Sequence, residues 1–339
     1  MNSSQLTLSI FQLCVAVIGA GTASLGALFY LRRVRMERPA IGRFNSRDVV
    51  ILFSFLVLLP AFYLLVPRWA LTALLALTFM SALSIGLRGL VSPTVMWVGI
   101  GLLVGGNLWL GQNALGTVLG WQVWWVENSL IVVVAAISVA NLYVQGGMQL
   151  RHVAWFAFSL AVYDSIFTLA FPVSNLLIRE FVGYPLFPAM GIRISFNEAI
   201  IGLGDLLVYA AFTIAAVKAY GRKVLRIVVP LILVFGAVMP SLSGLLINYI
   251  DARADVIIPA QTWFGPAALL CFLWLRSRFG PERTMREFLA SDDVIRRAAP
   301  TPAPAATEIV PVPVTVLPEE VTAKAEPAPE PSVPESAPA

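Results

Sequence analysis

The chain has 339 residues, 58% of them hydrophobic and 12% charged, with a formal net charge of +4 at pH 7. Soluble domains are about 45–50% apolar, whereas here the apolar residues fall into blocks of roughly twenty, enough to cross a hydrocarbon core of about 30 Å. An ordinary soluble domain is excluded. The cations flank the apolar blocks, so they read as topology signals at a lipid bilayer and no nucleic-acid partner is expected.

The first block covers residues 7–31 and runs into the basic "RRVRMER" (32–38). It is too long for the core of a signal peptide and has no basic leader, so it is expected to be retained as a first span. Further blocks near 49–67, 70–87, 91–110, 127–145, 153–171, 196–217, 227–248 and 256–275 bring the expected total to nine. The linkers after spans one, three, five, seven and nine carry sixteen Lys and Arg residues, from Arg32 to Arg286; those on the other side carry only Arg68, Arg179, Arg193 and Arg253. That bias puts the N-terminus outside and the C-terminus in the cytoplasm. Trp109, Trp121, Trp124 and Trp125 cluster around the outer loop 111–128, as an interfacial aromatic belt does.

Residues 277–299 read as a short amphipathic helix on the membrane surface. From Pro300 onward the chain holds eleven prolines and six glutamates against one lysine, a composition that cannot build a core and is expected to be a disordered cytoplasmic tail. No internal repeat is evident, which weighs against an inverted-repeat transporter. The two cysteines, Cys14 and Cys271, lie inside apolar blocks and form neither a disulfide framework nor a metal cluster. The single histidine, His152, excludes an H-E-x-x-H zinc protease, and no G-x-S-G-like serine stands ready to pair with it, since "PSLSG" (240–244) lacks the leading glycine.

Asp164 lies in "SLAVYDSIFTLAF" (159–171) and Asp205 in "IIGLGDLLVYAAF" (200–212), each inside an expected span. An ionisable group there costs about 2.5–3.5 kcal/mol on insertion scales and marks a functional site by default. The plainer alternative is a protonated aspartic acid satisfied by a nearby hydroxyl or carbonyl. Span six enters at Arg151, thirteen residues before Asp164, and span seven leaves at Lys218, thirteen residues after Asp205. At about 1.5 Å per residue both carboxylates sit roughly 20 Å from the cytoplasmic ends of their helices. On antiparallel helices they come to one level.

Two carboxylates that share a site cannot both ionise easily. One can activate a water while its protonated partner polarises a peptide carbonyl and then protonates the leaving amine. No metal or cofactor is needed, and either aspartate can take either role. Gly202 and Gly204 allow a backbone to approach Asp205 closely, although G-x-G also serves ordinary helix packing. Tyr163 and Tyr209 stand where a hydroxyl could reach the carboxylates.

The pair Tyr163-Asp164 in a sixth span and "GLGD" (202–205) in a seventh resemble the signatures of the presenilin and signal peptide peptidase family of intramembrane aspartyl proteases, all-α proteins with nine spans. That family opens its ninth span with a Pro-Ala-Leu motif. Here "IIPAQTWFGPAALLCF" (257–272) matches at Pro259 and Ala260, places Gln261 where leucine stands, and repeats Pro266-Ala267 at a spacing similar to that of signal peptide peptidases. An alternative alignment on Pro266-Ala267-Ala268 departs at the same position. The resemblance covers about 155–272. It implies Asp164 and Asp205 as the catalytic pair, with Tyr163, Gly202, Leu203, Gly204, Pro259, Ala260 and Gln261 as supporting or substrate-binding residues. A proline at the helix start leaves an extended edge with which a substrate strand can pair.

The expected orientation is similar to that of signal peptide peptidases. It implies transmembrane peptide substrates with a cytoplasmic N-terminus, signal-peptide remnants among them, unwound locally before hydrolysis and cleaved without partner subunits. Prepilin-type peptidases also carry G-x-G-D, but with a lysine two residues on where this chain has Leu207. A proton- or cation-coupled transporter would use the same aspartates as relays, extended by Glu198, which reads instead as a snorkelling residue at the outer end of span seven; Glu127 and Asn128 likewise read as interfacial. An inactive scaffold of the same fold is the third alternative. The expected organisation is therefore a five-span region (1–150), a four-span catalytic region (151–276), a juxtamembrane segment (277–299) and a tail (300–339). With no ER-retention signal, a prokaryotic cell membrane is the expected location.

Overall fold

The computed structural model describes residues 3–36, 46–170, 173–194, 197–243 and 259–296. Among them, seven helices are long and apolar enough to cross a membrane. Helices α1 (Ser3–Arg33), α2 (Ser46–Leu65), α3 (Arg68–Leu87), α4 (Pro93–Asn113) and α5 (Val118–Gln145) supply five of them. The sixth is α8 (Leu203–Tyr220). The seventh candidate, Arg222–Ser243, joins a 3₁₀ turn, α9 (Leu225–Leu231) and a π-helical stretch, Ile232–Val238. The chain is thus a mostly helical, multi-pass membrane protein in character.

Helices α6 (Leu150–Ser165) and α10 (Ala260–Phe279) occupy the places of the expected sixth and ninth spans without joining those seven. Only sixteen residues long, α6 continues as a π turn over Ile166–Ala170, while α10 has Arg276 and Arg278 in its last turn. A short helix, α7 (Val173–Phe181), follows the π turn. The tail from Pro300, the end of the expected eighth span and the start of the ninth lie outside the described residues.

Helix starts follow local chemistry. Pro93 opens α4, where its missing N–H costs nothing. Thr117 caps α5, its hydroxyl accepting the Gly120 N–H at 3.0 Å. Helix α11 (Met285–Arg296) begins with a reciprocal cap: Thr284 N–H and hydroxyl both donate to Glu287 Oε2 at 2.9 Å. Within the segment 277–299, expected as an amphipathic helix on the membrane surface, the helix spans Met285–Arg296, with Phe288 and Leu289 buried.

The core is built around α5 and α8. Thirteen of the eighteen residues of α8 are buried, so this helix is apolar on all sides because it is surrounded by protein. Peripheral α2 instead exposes Phe55, Leu58 and Leu65. Trp124 and Trp125 are fully buried and packed edge-on at 4.8 Å; they are core residues and not belt residues, whereas Trp109 is exposed. Lys218, expected as an exposed topology marker, is buried under α11, with Nζ donating to the Val144 carbonyl at 3.3 Å and lying 4.5 Å from the Phe288 ring.

The expected helix over 196–217 needs one correction. Strands β1 (Ala189–Ile194) and β2 (Asn197–Gly202) form an antiparallel hairpin, with Met190 opposite Ile201 and Arg193 opposite Glu198. Glu198 is thus not a snorkelling residue on a helix; it pairs with Arg193 across the strands at 3.6 Å. Side chains hold the hairpin from both flanks. Ser129 Oγ donates to the Gly191 carbonyl and accepts its N–H, and Asn128, fully buried rather than interfacial, donates to the Phe187 and Ala189 carbonyls. On the other flank Gln12 pairs with the Ile200 backbone, Nε2 donating to its carbonyl at 2.7 Å and Oε1 accepting its N–H at 3.0 Å. Each outer edge is thus engaged by a side chain, at Gly191 on β1 and at Ile200 on β2.

Candidate active site

Each aspartate sits where the backbone changes form. Asp164 is the last residue but one of α6, directly before the π turn, a kind of helix defect that often marks functional sites. Asp205 is not in mid-helix. It lies in the first turn of α8, immediately after β2, with Gly202 as the extended N-cap (φ −69°, ψ 150°). The first-turn N–H groups of a helix have no partners within it, and the macrodipole there favours an anion.

The fold brings the two carboxylates within electrostatic reach of each other. Both side chains are partly buried by the surrounding helices. The Gly202 backbone N–H and the Gln261 side-chain amide both face Asp205. Gly204 is exposed, and a Cβ built there would meet nothing within 4 Å, so the surface beside Asp205 is open on that side.

Helix α10 completes the site from below its N-terminus. Pro259 is its extended N-cap (φ −62°, ψ 142°), Ala260 its first residue and Gln261 its second. Close packing fixes its distance from α6: a Cβ on Gly265 would lie 2.5 Å from both the Ala157 carbonyl oxygen and Ala161 Cβ, so only glycine lets the two backbones approach this closely. Ser165 and Thr262 hydroxyls join the two helices at 3.2 Å, one residue beyond Asp164 and one beyond Gln261. Against α8, the Phe264 ring stands edge-on to Tyr209 at 4.9 Å and to Phe212 at 5.6 Å.

The predicted residues therefore divide. Asp164, Asp205, Gly202 and Gln261 come together, with Gly204 beside an open face. Leu203 begins α8, its N–H donating to the Pro188 carbonyl at 2.9 Å, which ties the start of the helix to the start of the hairpin. Tyr163 stacks on Phe167 at 4.5 Å and meets Phe53 edge-on, so its ring is a packing element on α6. Tyr209 is buried one turn after Asp205 on α8, and its hydroxyl donates to the Gly236 carbonyl at 2.9 Å. That carbonyl belongs to the π-helical stretch. A Cβ on Gly236 would lie 2.7 Å from the Tyr209 ring, so glycine is required for the two to meet.

Gln261 has the least ordinary surroundings. It is 1% exposed and its amide faces Asp205, yet neither its Nε2 nor its Oε1 makes a hydrogen bond of ordinary length and angle. Each buried polar atom left this way costs about 1–3 kcal/mol. The sequence marked Gln261 as a departure from a leucine, but burial and the missing partners are visible only in the structure.

The structure also brings Ser46 Oγ to 3.4 Å from His152 Nε2, a contact that sequence spacing did not suggest. It is not a nucleophile–base pair. His152 Nδ1 accepts the Gln149 N–H at 3.3 Å, so in the neutral ring Nε2 carries the proton and cannot take one from Ser46.

No protein-family model, curated protein or solved structure matches this chain.

Proposed function

We propose that the chain is an intramembrane aspartyl endopeptidase of the presenilin and signal peptide peptidase type, with nine spans, that hydrolyses peptide bonds within transmembrane helices. The observation that carries this reading is that two partly buried carboxylates, Asp164 and Asp205, on separate helices of the bundle, lie within electrostatic reach of each other. Asp205, at the N-terminus of α8, holds the negative charge and takes a proton from the attacking water. Asp164, at the end of α6, is the protonated partner that polarises the scissile carbonyl and then gives its proton to the leaving amine. Titration belongs to the pair as a unit.

Substrates in this reading are spans with a cytoplasmic N-terminus, the catalytic pair lying about midway through the bilayer of a prokaryotic cell membrane. The open side at Gly204 is where such a segment enters.

A peptide carrying a hydroxyethylene group in place of the scissile bond tests the reading, because it mimics the tetrahedral state and should bind more tightly than the parent peptide. A photoreactive version should label the purified protein on α6 or α8 and lose labelling in Asp164→Asn and Asp205→Asn. Equal labelling of all three proteins would contradict the assignment.

A further inference from the structure

We propose that the cavity between α6, α10 and the linker to α11 (280–284) takes the headgroup of a membrane phospholipid with a primary ammonium, its phosphate held by Arg276 and Arg283 and its ammonium by Glu282 and Gln149. The inference goes beyond the proteolytic reading and needs only that the bundle lies in a bilayer.

The cavity lies at the basic end of the bundle and has a volume of about 320 Å³. Three hydrogen bonds pin its linker wall. Gln149 Nε2 donates to the Arg283 carbonyl at 3.3 Å, Arg283 Nη1 to the Lys218 carbonyl at 2.8 Å, and the Tyr220 hydroxyl to the Gly280 carbonyl at 3.3 Å. The lining sets three guanidiniums, Arg151, Arg276 and Arg283, around one carboxylate, Glu282. Arg151 pairs with Glu282 at 3.5 Å, which leaves two positive charges in excess. Arg276 is exposed, and Arg283 keeps N–H groups beyond the one given to Lys218. A phosphate between them supplies acceptors to both.

A simple anion leaves the other lining groups unserved. Glu282 Oε2 and Gln149 Oε1 are buried and make no hydrogen bond of ordinary length and angle, so the cavity also has acceptors that lack donors. Burial raises the Glu282 carboxyl above its ordinary value of 4.5, even though the Leu150 and Arg151 N–H groups face it from the start of α6. A further cation would favour its ionised form. A primary ammonium brings that charge with three N–H donors. The position suits a lipid as well. Arg151 lies in the first turn of α6 and Arg276 in the last turn of α10, so the cavity sits at helix ends, where headgroups lie. Phe272 closes its apolar side one turn before Arg276, and Leu273 and Trp274 beside it are exposed, a surface for acyl chains.

The test is lipid binding by the full chain, stripped of lipid in detergent, titrated with single lipids of matched acyl chains and read by native mass spectrometry. Phosphatidylethanolamine should bind about tenfold more tightly than phosphatidylcholine, whose quaternary nitrogen has no N–H. It should exceed phosphatidylglycerol, which has the phosphate but no nitrogen, by about the same factor, the worth of one charge-assisted hydrogen bond. Arg276→Gln should weaken phosphatidylethanolamine about tenfold. Glu282→Gln should erase the preference over phosphatidylcholine and leave phosphatidylcholine binding as it was. Equal binding of all three lipids, or tightest binding of phosphatidylglycerol, overturns the proposal from the wild-type protein alone, even where Glu282→Gln fails to fold. Unchanged affinity in Arg276→Gln overturns it, as does a preference that survives Glu282→Gln in folded protein. Displacement of the lipid by an equal concentration of soluble phosphoethanolamine also overturns it, because the ligand is then a free phosphate ester. Cleavage enters none of these readouts, so the proteolytic reading stands or falls separately.

Discussion

At Tyr209 two roles compete, and the hydroxyl decides between them. One turn after Asp205, a tyrosine is well placed to donate to a carboxylate, yet its hydroxyl is held by the Gly236 carbonyl at 2.9 Å. Tyr209→Phe should therefore lower stability by about 1–3 kcal/mol, the cost of leaving that carbonyl unpartnered. It should also leave cleavage close to wild type in the folded fraction. Thermal unfolding and a cleavage assay run side by side separate the two effects; loss of cleavage with unchanged stability would return Tyr209 to the catalytic centre. Gly265 makes a complementary prediction. Gly265→Val puts side-chain atoms onto the Ala157 carbonyl and Ala161, an overpacking cost of about 1–3 kcal/mol, and moves Gln261 away from Asp205. Both stability and cleavage should fall, with Gly265→Ala intermediate.

Elements were legible in the sequence where their apolar pattern was long. Most expected spans coincide with a described helix to within a few residues, because blocks of about twenty apolar residues admit few other structures. The hairpin was not legible. "NEAIIG" (197–202) joins the apolar run of α8 without a break, and a short apolar run reads the same whether strand or helix. What makes it a strand is tertiary: Ser129, Asn128 and Gln12 supply hydrogen bonds to its edges from other helices. Asp205 stands out in the sequence by its charge in an apolar setting, but its place in the first turn of α8 follows only from the hairpin before it. Trp124 and Trp125 show the same limit, since composition marks an aromatic cluster and packing alone buries it.

Helix α11 carries a pH prediction of its own. Thr284 N–H and its hydroxyl hold the Glu287 carboxylate below the ordinary value of 4.5. A lowered carboxylate contributes stability above its unfolded value and loses it as pH falls through the depressed one. The first turn of α11 should be protected at neutral pH and fray under acid. Glu287→Gln should remove most of that dependence, read by hydrogen exchange at amides 285–288. An unchanged acid response in the variant would place the sensitivity elsewhere.

For the whole molecule, the helical bundle explains why an aspartate can persist at 205. A strand delivers the chain to the helix N-terminus, the Gly202 N–H and Gln261 amide face the carboxylate, and Asp164 stands within electrostatic reach. A relay for proton- or cation-coupled transport would use the same two groups but would yield flux and no peptide products. The most direct measurement is cleavage of a labelled single-span substrate, N-terminus on the side of the basic linkers, by the full chain in liposomes, with products identified by mass. Wild type should cut within the span, and Asp164→Asn and Asp205→Asn should each reduce cutting to background while remaining folded. Ion flux driven by a gradient and lost in both variants, with no peptide products from any substrate, would contradict the account.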